Sequence, residues 1–247
     1  MYNRPRIIPC LTITDNDLVK TIQFKNPRYI GDPVNSVKIF NDKGVDELCI
    51  LDITASKENK EPNYQLLQEI ANEAFMPLSY GGGLKNINQV KKIIKMGYEK
   101  VVFNTSFINN PDLIKETVEY LGSSGVVISI DVKKNVFGKY VVFTNDGIQE
   151  VKKSLNDVIR QVEELNAGEI IINSITNDGM MEGYDLNLIK NVCELIKIPV
   201  ISIGGAKDVS DLRKAIEVGA HAVAASSMFI YYGKQKAVLI TVPDNLD

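Results

Sequence analysis

Two stretches of this chain are copies of one another. MPLSYGGGLKNINQVKKIIKMGYEKVVFNTS (76–106) matches IPVISIGGAKDVSDLRKAIEVGAHAVAASS (198–227) at a constant offset of 122 residues in a chain of 247. Gly82 and Gly83 fall on Gly204 and Gly205, Lys85 on Lys207, Gly97 on Gly219, and Asn104 and Thr105 on Ser226 and Ser227. Upstream, Glu47 falls on Glu169 and Asp52 on Ser174. An offset of half the chain predicts a fold built from two similar halves.

Each copy alternates a short apolar, β-branched run with a stretch whose apolar residues recur every three or four positions. Over the whole chain the strand candidates number eight: Arg6–Thr12, Glu47–Asp52, Met76–Tyr80, Lys100–Asn104, Gly125–Asp131, Glu169–Asn173, Ile198–Ile203 and His221–Ala225. Helical periodicity is clearest at Asn86–Gly97 and Val209–Gly219. Eight β–α units in about 250 residues predict one closed (β/α)8 barrel spanning 1–247, made of two (βα)4 halves. An open doubly wound sheet would have fewer strands and a Gly-rich turn after the first, which this sequence lacks. After the fifth strand, KKNVFGKYVVFTNDG predicts an inserted β-hairpin.

Composition narrows the function. A formal net charge of −3 gives no electrostatic reason to expect nucleic acid or a membrane surface as partner. Cys10, Cys49 and Cys193 are odd in number and widely spaced, which predicts reduced core thiols in a cytoplasmic protein rather than disulfides or zinc. No His/Cys/carboxylate cluster predicts a metal, and no cofactor is expected. A single histidine, His221, at a strand start, leaves no basis for a hydrolase triad and reads as structural.

The repeat itself carries chemistry. Each copy ends one strand in Gly-Gly and the next in a small polar pair. Glycines there let a ligand approach the backbone, and exposed N–H groups beside a helix start bind anions. Barrels commonly hold a phosphate on strands seven and eight. The duplication predicts a second site on strands three and four, so the expected ligand carries two phosphates held far apart.

The motifs RIIPCL, GDPV, DELCILDITAS, YGGGL, NTSFINNP, VVISIDVK, GEIIINSITNDGMMEGYD, IPVISIGGA and AVAASSMF resemble, over almost the whole chain, the synthase (cyclase) subunit of imidazole glycerol phosphate synthase. The resemblance implies a bis-phosphorylated ribulosyl formimino-carboxamide nucleotide as ligand, and ammonia delivered through the barrel by a HisH-type glutaminase subunit. It implies Asp131 as a catalytic carboxylate. It also implies ligand contacts from Lys20 on a flexible loop after the first strand, and from Asp52, Gly82, Gly83, Asn104, Thr105, Asp178, Gly179, Gly204, Gly205, Ala225 and Ser226.

Three departures stand against it. Thr12, in CLTIT, occupies the position of the family's strand-one catalytic Asp, and a hydroxyl is not a usable general base near neutral pH. Asp15 and Asp17 are the nearest carboxylates to take its place. Thr176 and Asn177 stand where the family has Asp-Arg, and the chain closes on YYGKQKAVLITVPDNLD rather than a longer helix. These features resemble a divergent branch found in surface-polysaccharide gene clusters, which implies a third partner, a sugar amidotransferase.

With the first strand starting at Arg6, the period-two rule puts Arg6, Ile8, Cys10 and Thr12 on one face, with Arg6 roughly 20 Å below Thr12 at the barrel floor. Lys100, Glu169 and Glu47 open three other strands, so two cations and two anions ring the floor. The plain reading is a salt-bridge plug. By resemblance these four match the gate of an ammonia channel. Three functions stay open: an ammonia-channelling barrel with a surface-sugar acceptor, an ordinary histidine-pathway cyclase, and a scaffold that only activates a glutaminase.

Overall fold

The computed structural model describes residues 5–233 and 235–243. Eight parallel strands form the barrel: β1 (Arg6–Thr14), β4 (Leu48–Asp52), β5 (Leu78–Gly81), β6 (Lys100–Phe103), β7 (Val126–Lys134), β10 (Glu169–Ser174), β11 (Val200–Ile203) and β12 (Ala222–Ala225). Each pairs with the next in that order, β12 pairs with β1, and the ring is closed. The eight strands are those the sequence predicts, with ends shifted by a few residues.

The outer layer is α1 (Pro33–Asp42), α2 (Tyr64–Glu73), α3 (Ile87–Lys95), α5 (Pro111–Leu121), α6 (Leu155–Glu164), α7 (Leu186–Leu195) and α8 (Val209–Glu217). Most start on a side chain that accepts the orphan N–H groups of the first turn. Asn86 and Gln89 form a reciprocal capping box on α3, and Asp208 caps α8 at the equivalent place in the second copy. Val90 and Ile93 on α3 and Leu212 and Ala215 on α8 face the sheet. Short helices α4 (Thr105–Asn109) and α9 (Ser227–Ile230) follow β6 and β12. The backbone just before them is nearly the same in both halves: φ/ψ of −124/−85° at Asn104 and −130/−66° at Ser226. The repeat is therefore structural as well as textual.

Strand alternation creates two cores. Outward residues such as Leu11, Ile50, Tyr80 and Val101 pack under the helices. Inward residues Ile8, Cys10, Cys49, Val102, Val127, Ile171, Ile201, Ala222 and Ala224 fill the barrel interior. Cys10 and Cys49 are buried there and unpaired by disulfide, whereas Cys193 is only half-buried on α7.

Two antiparallel extensions rise above the carboxyl ends of the strands. β7 runs past Asp131 and pairs with β8 (Tyr140–Thr144), which pairs with β9 (Gln149–Glu150). The segment after β1 is β2 (Asp17–Ile22) hydrogen-bonded to β3 (Lys25–Gly31), and β2 also pairs with β1. This corrects the expected flexible loop. The turn joining β2 to β3 is Gln23–Phe24, with φ of 51° and 63°. Two left-handed residues are what a two-residue hairpin needs, but Asn-Gly is its usual signature, and Gln-Phe hides it.

Near the end, β13 (Tyr231–Tyr232) pairs with β14 (Ala237–Val238). Of the closing segment, residues 234 and 244–247 lie outside the described residues. Among the described residues no helix is long and apolar enough to cross a membrane.

Candidate functional site

The carboxyl ends of the barrel strands open into a cavity. Thr12, Lys20, Asp52, Gly82, Gly83, Asn104, Thr105, Asp131, Asp178 and Ser226 all line it. A small adjoining recess is lined by Asp178, Gly179, Gly204, Gly205, Ala225 and Ser226. Thus the two glycine-pair motifs lie at one end of the barrel, with Asp178 and Ser226 common to both spaces. The fold brings together every mouth residue that the sequence singles out.

Asp131 is buried near the end of the barrel part of β7. Asn104 Nδ2 donates to its Oδ2 (3.0 Å), and Asn173 Nδ2 donates to its Oδ1 (3.2 Å). Burial pushes the carboxyl up to about 7, aided by the nearby charges of Asp178 and Asp146, and the two amide donors only partly oppose this. Asn173 Oδ1 has no hydrogen-bond partner among the described residues. The site therefore holds a carboxyl group that exchanges its proton near neutral pH.

Thr12 is not free. Its hydroxyl donates to the carbonyl of Val19, so the side chain at this position fastens the β2–β3 hairpin to β1. Neither alternative carboxylate reaches the cavity. Asp15 lies in the β1–β2 turn and pairs with Lys60 at 2.9 Å on the surface, and Asp17 is exposed. Both are outside the cavity lining.

Lys20 is a further correction. It lies on β2, is buried, and its ammonium contacts the Ser226 hydroxyl, which itself donates to the Cys10 carbonyl. Burial lowers its pKa, while the charge of Asp178 opposes the fall. Burial raises Asp178, with Lys20 pulling the other way. The hairpin is held to the opposite wall as well: Gln23 N–H donates to the Asp178 carbonyl, and Gln23 Nε2 to that of Thr176. Gly179 permits that approach, since a Cβ there would sit 2.3 Å from the Thr21 carbonyl oxygen. Gly205 is likewise demanded by packing: its φ is 110°, and a Cβ would lie 2.2 Å from the Gly183 oxygen. Both glycines are required by the backbone whether or not a ligand binds.

Asp52 caps its own turn. Its Oδ1 accepts from Thr54 N–H, the Thr54 hydroxyl and Ala55 N–H. Thr105 and Asn145 bond one another across the mouth, tying the first half's small polar pair to the turn between β8 and β9. His221 accepts from Val200 N–H at the start of β12, at the opposite end of the barrel.

At that opposite end the four charges close a ring. Arg6 donates to Glu47 and to Glu169, each at 2.6 Å. Lys100 donates to the same two carboxylates at 2.9 and 3.0 Å. Each cation bridges both anions, beneath the apolar interior. Four exposed apolar residues lie at this end, although Val136 and Phe137 at the tip of the β7–β8 hairpin are more exposed still. Phe75, just before β5, is 86% exposed, and Ile39, Tyr120 and Leu195 lie exposed in the last turns of α1, α5 and α7. Only their exposure marks them, which no single-sequence pattern reveals. Asp146, in the β8–β9 turn, is a lining carboxylate that motif reasoning passed over.

Comparison with known proteins gives a consistent result. The family described as "Histidine biosynthesis protein" matches residues 6–236. A protein of Leptospira borgpetersenii named "Putative imidazole glycerol phosphate synthase subunit HisF" is 48% identical over 99% of this chain and 97% of its own length. Pseudomonas aeruginosa has a "Putative imidazole glycerol phosphate synthase subunit hisF2" at 46% identity, covering 98% and 96%. The "Imidazole glycerol phosphate synthase subunit HisF" of Petrotoga mobilis is 44% identical over 92% and 90%.

Proposed function

The chain belongs to the histidine biosynthesis protein family, among the HisF subunits of imidazole glycerol phosphate synthase, and from that premise we propose that it is the ammonia-receiving barrel of a glutamine-dependent complex. A HisH-type glutaminase docks on the floor, and a phosphorylated small molecule binds at the mouth. The observation that carries this reading is the closed ring of Arg6, Glu47, Lys100 and Glu169 under an apolar interior. Ammonia released into water is mostly protonated and diffuses away, so a covered route has a chemical purpose. Paired charges exclude bulk water yet part by side-chain rotation, and the mutual pairing offsets a burial cost that neither sign would sustain alone. The exposed Phe75, Ile39, Tyr120 and Leu195 supply apolar area for a partner at the same end.

At the mouth, the two glycine-pair motifs hold the ligand's phosphates: Gly82, Gly83, Asn104 and Thr105 at one end, and Gly179, Gly204, Gly205, Ala225 and Ser226 at the other, with Lys20 as the buried cation beside Ser226. Asp131, poised near neutrality, gives up and recovers a proton as nitrogen adds. Thr12 cannot share that work, because its hydroxyl serves the Val19 carbonyl. The family's cyclisation is therefore slow here, and the nitrogen serves a surface-sugar acceptor handled with a separate sugar amidotransferase. The Thr12 and Thr176–Asn177 departures favour this acceptor over the histidine-pathway intermediate.

The test is reconstitution. The chain is co-purified with a candidate HisH-type glutaminase, and nitrogen-containing product per glutamine hydrolysed is compared in wild type and Lys100→Ala. A lower ratio in the variant, with phosphate-ester binding retained, is expected. No complex, or an unchanged ratio, returns the four charges to a structural role.

A further inference from the structure

Four carboxylates line the mouth cavity: Asp52, Asp131, Asp146 and Asp178. Asp52 is committed to its own turn through three hydrogen bonds, and Asp178 stands with the buried Lys20. Asp146 receives no hydrogen bond among the described residues. Its backbone is nevertheless held firmly. Asn145, Asp146 and Gly147 have φ of 50°, 59° and 71°, a conformation that needs support from neighbours. The support is there: Asn145 N–H donates to the Thr105 hydroxyl (3.2 Å), Asn145 Nδ2 to Gln149 (2.8 Å), and Lys133 Nζ to the Gly147 carbonyl (3.3 Å). A half-buried carboxylate with no structural partner is thus fixed on a braced turn facing Asp131's cavity.

We propose that Asp146 is the second proton-transfer carboxylate of the mouth, acting with Asp131 in place of the strand-one carboxylate that Thr12 does not supply. The inference rests on the reading that ammonia meets a phosphorylated carbonyl ligand in this cavity. As the N–C bond forms, the Asp146 carboxylate takes a proton from the attacking nitrogen, and protonated Asp131 gives one to the carbonyl oxygen. When water leaves, the proton on Asp146 goes to the departing hydroxyl and the nitrogen returns one to Asp131. Both groups end as they began. The electrostatics suit these roles. Burial pushes Asp146 up to about 6, Asp178 adds to this, and Lys57 and Lys133 oppose it. Both carboxyls are raised toward neutrality, so near neutral pH the two share a proton, and the two titration steps belong to the pair.

The experiment uses the bis-phosphorylated ribulosyl formimino-carboxamide nucleotide with excess ammonium salt. Wild type, Asp146→Asn, Thr12→Asp and the double variant are compared, and fructose 1,6-bisphosphate binding is followed by calorimetry. Asp146→Asn is expected to lower the residual kcat about 100-fold, leave KM within about twofold, and abolish the acidic limb of the kcat–pH profile. In the Thr12→Asp background, where a strand-one carboxylate is restored, the same change is expected to cost less than about fivefold. A wild-type rate in Asp146→Asn overturns the inference, as does tighter bisphosphate binding with unchanged kcat, which would make the residue a ligand-selectivity group. Bisphosphate binding without any wild-type turnover also overturns it. Failure of wild type to bind bisphosphate instead overturns the ligand reading on which it rests.

Discussion

Asp131→Asn is expected to change the sign of its effect on stability between pH 4 and pH 8. The carboxyl is raised from 3.8 to about 7 by burial in the folded protein. The folded state therefore binds more protons than the unfolded state between those values, and stability falls as pH rises through that window. About three pH units at about 1.4 kcal/mol each make the ionised group cost about 4 kcal/mol above pH 7. Asparagine removes that cost. It also replaces one of the two oxygens that accept from Asn104 and Asn173 with an NH₂ group. A donor left facing a donor costs about 1–3 kcal/mol at any pH. The variant should then be less stable than wild type by about 1–3 kcal/mol at pH 4 and more stable by about 1–3 kcal/mol at pH 8. For a chain of this size, 1 kcal/mol is about 2–4 °C in Tm. The difference in Tm between the two proteins should swing by about 10 °C, read by calorimetry across that range. Groups that titrate alike in both proteins cancel. A difference in Tm that does not vary with pH would refute the burial argument and, with it, Asp131's readiness to exchange a proton near neutrality.

Further outcomes follow from other parts of the molecule. Wild type should cyclise the histidine-pathway intermediate at least about 100-fold more slowly than an ordinary family member, even with free ammonium, while Thr12→Asp should raise the rate; comparable wild-type rates would revive the ordinary cyclase. Thr12→Val keeps the side chain's shape but removes its bond to Val19, so hydrogen exchange should quicken in β2 and β3 with little change elsewhere. Lys100→Ala leaves Glu47 and Glu169 to Arg6 alone and should cost about 3 kcal/mol in chemical denaturation, the lower end expected for breaking a buried pair. Phe75→Glu, on a residue already exposed, should leave the melting temperature unchanged but weaken glutaminase binding at least tenfold by titration.

Much of this architecture is legible in the sequence because its physical signals are local or periodic. The 122-residue offset required two like halves, and β-branched runs marked all eight barrel strands. The floor charges were found because each opens a strand, where period-two alternation fixes the facing. What escaped has equally definite causes. Gln23–Phe24 adopts a turn that other residues usually mark, so the β2–β3 hairpin read as loop and the burial of Lys20 was invisible. The partner of Thr12 is a backbone carbonyl seven residues away, which depends on that hairpin forming. Asp146 reaches the cavity from the β8–β9 turn, which is bound to Thr105 by a contact across 40 residues of chain. The glycines were read as ligand-facing, but Gly205 and Gly179 are first of all points where two backbones meet. For that reason anion-site variants belong at Thr105 and Ser226.

On the proposed function, the glutaminase meets the floor and the phosphorylated ligand meets the mouth. Amide hydrogen exchange of the barrel alone, with the glutaminase, and with fructose 1,6-bisphosphate tests both halves of it. The glutaminase is expected to protect the floor turns 43–47 and 74–77 and to leave the mouth unchanged. The bisphosphate is expected to protect the β6–α4 and β12–α9 junctions, at Asn104–Thr105 and Ser226–Ser227, and to leave the floor unchanged. Glutaminase protection confined to the mouth, or bisphosphate protection confined to the floor, would contradict this arrangement.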